Sequence, residues 1–307
     1  MKQDEATSAQ ARSGWIEAGL FVVAISTLNI IYGVAEQAGA NVFVFVLYAT
    51  AFAAIGMLAV SGLGKDWWAV ITAPQSWIFG LSTIAMEVFY YLLIATTTPT
   101  EASLLMRLAV PVSIAIGCVL SKTSPTRPAL IGGALVAASV VPVYFGVGTA
   151  DLTPAILLTI VCAVIVAIKT FASEFHPWNR AAENITEKLR VTGLVVLTTG
   201  VFGFVGLLMV IALSEFGAIP ESTALPDMQA LTHPETIALA ILLGAPVLFA
   251  MNYLTFSSVV KISTEGFLAM SAFTPFSTLA LQLLAISFGA MIAPEFPLWL
   301  IPPALLG

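Results

Sequence analysis

WIFGLSTIAMEVFYYLLIATTTPTEASLLMRLAVPVSIAIGCVLS occupies residues 77–121. It holds two apolar runs, about 77–95 and 102–121, separated by a short polar turn that contains Thr98, Pro99 and Glu101. Each run is close to the ~20 residues a helix needs to cross the hydrocarbon core of a bilayer. Backbone groups in hydrocarbon find no water and must bond to one another, so an unbroken run of this length reads as a helix. It is about twice the length of a membrane-barrel strand. The stretch therefore predicts a hairpin of two membrane-crossing helices.

Runs of the same kind lie on both sides, at about 15–34, 42–61, 129–147, 154–173, 191–212, 236–257 and 265–288, and a tenth begins near Phe296. Of 307 residues, 59% are hydrophobic and 9% charged, against about 25% charged in a soluble domain; mean hydropathy is +1.00. The fold class expected is an all-α integral membrane protein, a single ten-helix bundle with short loops. The polar tail, 1–14, precedes a run from Trp15 that lacks an A-x-A cleavage pattern, so this run reads as a span and not as a removed signal peptide. The last run, FPLWLIPPALLG, gives 12 residues, about 18 Å of helix against a core of about 30 Å, and truncation of the tenth helix is expected. A net charge of −6 and a pI near 4.9 offer no basic surface to nucleic acid. Cys118 and Cys162 sit in separate apolar runs without metal or redox spacing and read as packing residues. No cofactor motif occurs, and the sequence sets no oligomeric state.

Cytoplasmic loops of membrane proteins carry an excess of lysine and arginine. Lys2, Arg12, Lys65, Lys122, Arg127, Arg180, Lys188, Arg190 and Lys261 all fall in the tail or in loops two, four, six and eight. The odd-numbered loops hold none of them and carry acids such as Glu36, Glu101, Asp151, Asp227 and Glu235. The alternation predicts a multi-pass protein of the inner cell membrane with a cytoplasmic amino terminus.

An internal repeat strengthens this layout. Thr100-Glu101-Ala-Ser-Leu104-Leu-Met106-Arg-Leu-Ala-Val-Pro111 aligns without gaps on Thr264-Glu265-Gly-Phe-Leu268-Ala-Met270-Ser-Ala-Phe-Thr-Pro275, with five of twelve positions identical. The match sets the start of the fourth span on the start of the ninth. Each repeat then holds five helices, 15–147 and 154–307, and an odd number inserts the copies in opposite orientations. Inverted repeats are the device of alternating-access transporters.

The segment 85–122 resembles the core of an EamA-type repeat of the drug/metabolite transporter superfamily, in which a helix ending in Tyr-x-x-x-x-Ala leads into an xTPxxAS turn and an apolar helix with a central proline. Thr98, Pro99, Ala102, Ser103 and Pro111 match in the first copy; Ser263, Thr264, Gly266 and Pro275 match more loosely in the second. The chain differs where family members often carry Arg-Phe in the second helix, here Leu47-Tyr48, and Gly-Glu after the fourth, here Ser121-Lys122. The resemblance implies a five-plus-five inverted repeat around a central cavity lined mainly by spans 1, 3, 4, 6, 8 and 9, and transport of metabolites such as amino acids.

Charges inside spans need a partner or a cavity, since each costs about 2.5–3.5 kcal/mol at the bilayer centre. Glu87 lies near the midplane, with Thr83, Tyr90 and Tyr91 three or four positions away on the same helix face. It reads either as a cavity carboxylate for an ammonium group or a proton, or as one member of a structural ion pair or a hydrogen-bonded neutral acid. Arg107, with Ser103 on its face, could clamp a carboxylate, snorkel outward or pair with Glu87. Lys169 is expected to snorkel to the cytoplasmic headgroups. Asn29, Tyr32, Asn252, Tyr253 and Gln282 are polar groups that bond between helices; Asn29 and Asn252 are also candidates to touch a solute. Pro111 and Pro275 read as paired helix bends that shape the cavity and its gates.

The function expected is a secondary transporter or facilitator that moves a small amphipathic metabolite, an amino acid as first choice, with protons as a candidate coupling ion. The alternative is a membrane-embedded enzyme or lipid-handling protein. No GxSxG, HExxH or P-loop motif supports it, and His176 and His233 fall at loop edges on opposite sides of the membrane.

Overall fold

The computed structural model describes residues 2–122, 124–144, 152–216 and 226–292. Every element among them is helical: α1 (Lys2–Gln37), α2 (Val42–Ser61), α3 (Trp67–Thr72), α4 (Pro74–Thr96), α5 (Pro99–Leu105), α6 (Ala109–Ser121), α7 (Arg127–Tyr144), α8 (Leu152–Glu174), α9 (Pro177–Ala181), α10 (Ile185–Glu215), α11 (Met228–Leu231), α12 (Pro234–Leu239), α13 (Ala245–Ser271) and α14 (Thr274–Ser287). A 3-10 turn, Met106–Leu108, joins α5 to α6, and a π turn, Ala240–Gly244, joins α12 to α13. Eight stretches are long and apolar enough to cross a membrane, and Thr274–Ser287 is a shorter apolar helix. Ile16, Leu20 and Val23 on α1, Val119 and Leu120 on α6, and Phe202 and Met209 on α10 are exposed. Apolar bands of this kind around the bundle suit lipid and not water. The chain is a multi-pass, all-α membrane protein.

The first seven expected spans fall on α1, α2, α4, α5 with α6, α7, α8 and α10. One boundary differs from the sequence reading. The polar tail is not separate, because α1 continues through it from Lys2. The charged segment 179–190 is divided: α9 stops at Ala181, and α10 starts at Ile185, with Asn184 accepting a hydrogen bond from the Glu187 N–H as its cap. The tenth span lies outside the described residues.

The eighth and ninth spans meet at Ser263, whose φ of 64° and ψ of 165° interrupt α13. The chain reverses there. A side chain at Gly14 would meet Lys261 and Ile262, and one at Gly33 would meet Met291. Between these, Phe21 packs on Phe267 at 4.7 Å, the Ser26 hydroxyl donates to Thr274 O and Asn29 Nδ2 donates to Thr278 Oγ1. From Ser263 onward the chain therefore runs beside α1 in the same direction.

Helix irregularity follows the prolines. Pro111 and Pro275 lack the N–H that would bond to Arg107 O and Ser271 O. In the first case the helix tightens into the 3-10 turn Met106–Leu108; in the second it stops at Ala272 and Phe273 and restarts as α14. The two interruptions fall near aligned positions of the sequence match between 100–111 and 264–275. Pro246 stands just after the π turn, and Pro142 stays inside α7.

The ends of the bundle differ in charge. Arg190 donates to Ser61 O, Lys261 pairs with Glu17 at 2.5 Å, and Glu174 accepts from the Thr264 N–H at one end. At the other, Tyr91 donates to Ala40 O, Ile292 N–H to Gln37, and Thr98 and Glu101 form a reciprocal capping box.

Candidate functional site

A cavity of about 70 Å³ opens between α1, α4, α8, α13 and the α5–α6 junction, walled by Phe21, Ile25, Met86, Met251 and Phe267. The polar groups on it include Glu87, Tyr90, Ser103, Arg107 and Lys169. Liquid water takes about 30 Å³ per molecule, so the space is that of a small solute group.

Glu87 is 2% exposed, thirteen positions after the start of α4. Its Oε2 accepts a hydrogen bond of 2.7 Å from the Tyr32 hydroxyl on α1. Its Oε1 lies 4.0 Å from the Lys169 ammonium on α8, which also sits 5.6 Å above the Phe79 ring. Lys169 therefore does not snorkel to the headgroups as its sequence position suggested; it is 4% exposed and lies against the carboxylate. The cause is helix rotation: Cys162, Lys169, Thr170 and Ser173 share the buried face of α8, so the lysine stem starts out pointing inward.

Arg107 reaches the same cavity from the 3-10 turn. The break before α14 makes this contact possible. There the Phe276 N–H bonds to Phe273 O instead of to Ala272 O, and the released Ala272 carbonyl accepts from Arg107 Nε at 3.1 Å. The guanidinium lies over the Phe276 ring at 5.4 Å. Ser103 turns its hydroxyl to Thr100 O, one turn from the Thr100–Gln282 hydrogen bond that ties α5 to α14.

Of the seven residues that the sequence nominated for solute contact, Glu87, Tyr90, Ser103 and Arg107 line one cavity. The other three lie elsewhere. Tyr91 bonds to Ala40 O near the end of the bundle. Asn29 bonds to Thr278 and joins α1 to α14. Asn252 is fully buried, off the cavity, with both amide atoms lacking a hydrogen-bond partner among the described residues. Lys169 and Tyr32 were passed over, although the small and polar stripe Cys162, Lys169 and Ser173 carries the signal for the lysine.

A second buried polar cluster closes the cation-bearing end. The Asn179 N–H donates to His176 Nδ1, which leaves Nε2–H to donate to Ser76 Oγ at 2.8 Å; Ser76 in turn donates to Val70 O. Asn179 Nδ2 donates to Ser173 O and Phe256 O, and Lys188 Nζ donates to Asn179 O. Burial pushes the His176 imidazole down from its ordinary value to about 4. Among the described residues no group of three or more His, Cys, Asp or Glu is placed to hold a metal ion.

No family model matches the chain, and no curated protein does. Thirteen chains of solved structures match. One, described only as the crystal structure of a protein, is 17% identical and has a TM-score of 0.57 over 95% of this chain and 93% of that one. At that identity the likeness is one of fold.

Proposed function

We propose that the protein is a secondary transporter or facilitator of a small amphipathic metabolite, working by alternating access between two inverted five-helix repeats of the drug/metabolite transporter, EamA-like, kind. The observation that carries the reading is the cavity: Glu87, Arg107 and Lys169 come from three separate helices to one small space in an otherwise apolar bundle. Burying three ionisable groups at membrane depth is costly, and such groups mark solute or ion pathways. The repeat is supported by counterparts that line one cavity, as residues near a two-fold axis do. At the offset of 164, Arg107 corresponds to Ser271 and Ser103 to Phe267, and all four line the cavity. An amino acid is a natural first candidate because the walls offer both signs of charge, and Glu87 is the natural carrier if protons are coupled. The cation-bearing end is taken as cytoplasmic. Cysteines placed at Lys65 and Asp227 should label from opposite sides.

The direct test is counterflow in proteoliposomes preloaded with amino acids, small carboxylates or small amines. Saturable exchange of at least one class is expected, abolished by Arg107→Ala. No exchange above empty liposomes with any class would remove the transport reading.

A further inference from the structure

Lys169 carries three N–H donors, is 4% exposed and faces the cavity, yet it has no hydrogen bond among the described residues. Its nearest acid, Glu87, lies 4.0 Å away and takes its hydrogen bond from Tyr32 instead. An ammonium so placed has an ion-pair partner at 4.0 Å but no hydrogen-bond acceptor among the described residues, and its donors are open to a group in the cavity. The charges on the wall point the same way. By formal charge the wall holds, among the described residues, one acid, Glu87, and two bases, Lys169 and Arg107. An incoming carboxylate lessens that imbalance, a zwitterion leaves it unchanged and an ammonium increases it. Net charge in an apolar site is expensive, so the order of preference follows.

From this geometry we infer that the cavity takes its solute by a carboxylate, held between Lys169 and Arg107, with the apolar part of the molecule against Met86, Met106 and Phe267. An ammonium on the solute is dispensable, because Glu87 already takes a hydrogen bond from Tyr32. Lys169 is thus a specificity-determining residue. The inference rests on the reading of this cavity as the transport site, which binding and counterflow separate.

The test uses the full chain in lipid nanodiscs and three solutes with one skeleton: valine, its deaminated carboxylate 3-methylbutanoate, and its decarboxylated amine 2-methylpropylamine. The carboxylate is expected to bind at least as tightly as valine and the amine not at all. Lys169→Met should weaken carboxylate binding by about thirtyfold or more, whereas Lys169→Arg should stay within about tenfold of the native protein. Glu87→Gln should tighten carboxylate binding, because it removes the acid on the wall; if Glu87 instead held a solute ammonium, the same change would weaken binding. Preference for the amine, weaker carboxylate binding in Glu87→Gln, or unchanged binding in Lys169→Met overturns the inference, and so does absence of saturable carboxylate binding at about 10 mM. Should Lys169→Met fail to fold, the ranking of the three solutes on the native protein and the sign of the Glu87→Gln effect decide. Carboxylate binding without counterflow upholds the anion site and sinks the transporter; counterflow of the amine alone keeps the transporter and sinks the anion site.

Discussion

Two clusters of buried ionisable side chains among the described residues are built in opposite ways. At the cation-bearing end, His176, Asn179 and Lys188 are joined by hydrogen bonds to one another and to the carbonyls of Val70, Ser173 and Phe256, through Ser76 in the first case. In the central cavity the Lys169 ammonium stops 4.0 Å short of Glu87. A saturated cluster has its polar groups engaged and holds helices together. In the cavity the Lys169 donors make no hydrogen bond among the described residues, as the proposed solute site requires.

The strongest way to break the comparison is Asn179→Ala. It strips donors from two buried carbonyls and an acceptor from Lys188, at a cost of about 3 kcal/mol or more. Thermal unfolding in detergent should show a large fall in Tm; a Tm within about 2 °C of the native protein would show that the cluster is not structural.

Acid should act on the same cluster with comparable size. The folded His176 is held near 4 while the unfolded side chain titrates near 6.5, so the unfolded chain takes up a proton that the folded one refuses. The His176 contribution is complete above about pH 6.5 and falls by about 3 kcal/mol as the pH drops towards 4. The Tm of His176→Gln should therefore depend less on pH than that of the native protein between about pH 6.5 and 4.5. Parallel curves for the two proteins would defeat the assignment.

The cavity should respond more weakly. Tyr32→Phe removes the donor to Glu87 Oε2 and is expected to cost about 1 kcal/mol. A loss as large as that of Asn179→Ala would place Glu87 in the structural class. Smallest of all should be the double change Lys169→Met with Glu87→Gln, within about 1 kcal/mol of the native stability, since replacing both members of a buried charge pair by neutral side chains of similar size is often neutral or better. A variant that folds normally and no longer binds solute sharpens the comparison; one that unfolds erases it.

The helices were legible in the sequence because length and apolarity alone decide what crosses a bilayer. Glu87, Tyr90, Ser103 and Arg107 were legible for a related reason, each being a polar group within a few positions of another on one helix face. What failed was anything that depended on helix rotation. Lys169 counted as close to the end of its span, and depth along the axis favoured snorkelling, yet the axis coordinate does not say which way a stem points. Tyr91 stands next to Tyr90 in sequence and, one position round the helix, faces Ala40 instead of the cavity. Asn252 was nominated as an intramembrane amide and is buried away from the cavity. Spacing within one helix finds a stripe, and only the neighbouring helices decide what the stripe faces.

Ser263 turns the chain back beside α1 with one left-handed residue where a loop of several is usual. In kinematic language it is a pin joint without slack. The helical limbs on either side, 245–262 and 264–271, cannot slide apart or exchange register, because no spare chain connects them. The carbonyl that holds Arg107 belongs to Ala272, at the end of the helical limb that starts just after Ser263, so the placement of the cavity arginine depends on where that single residue sets the limb down.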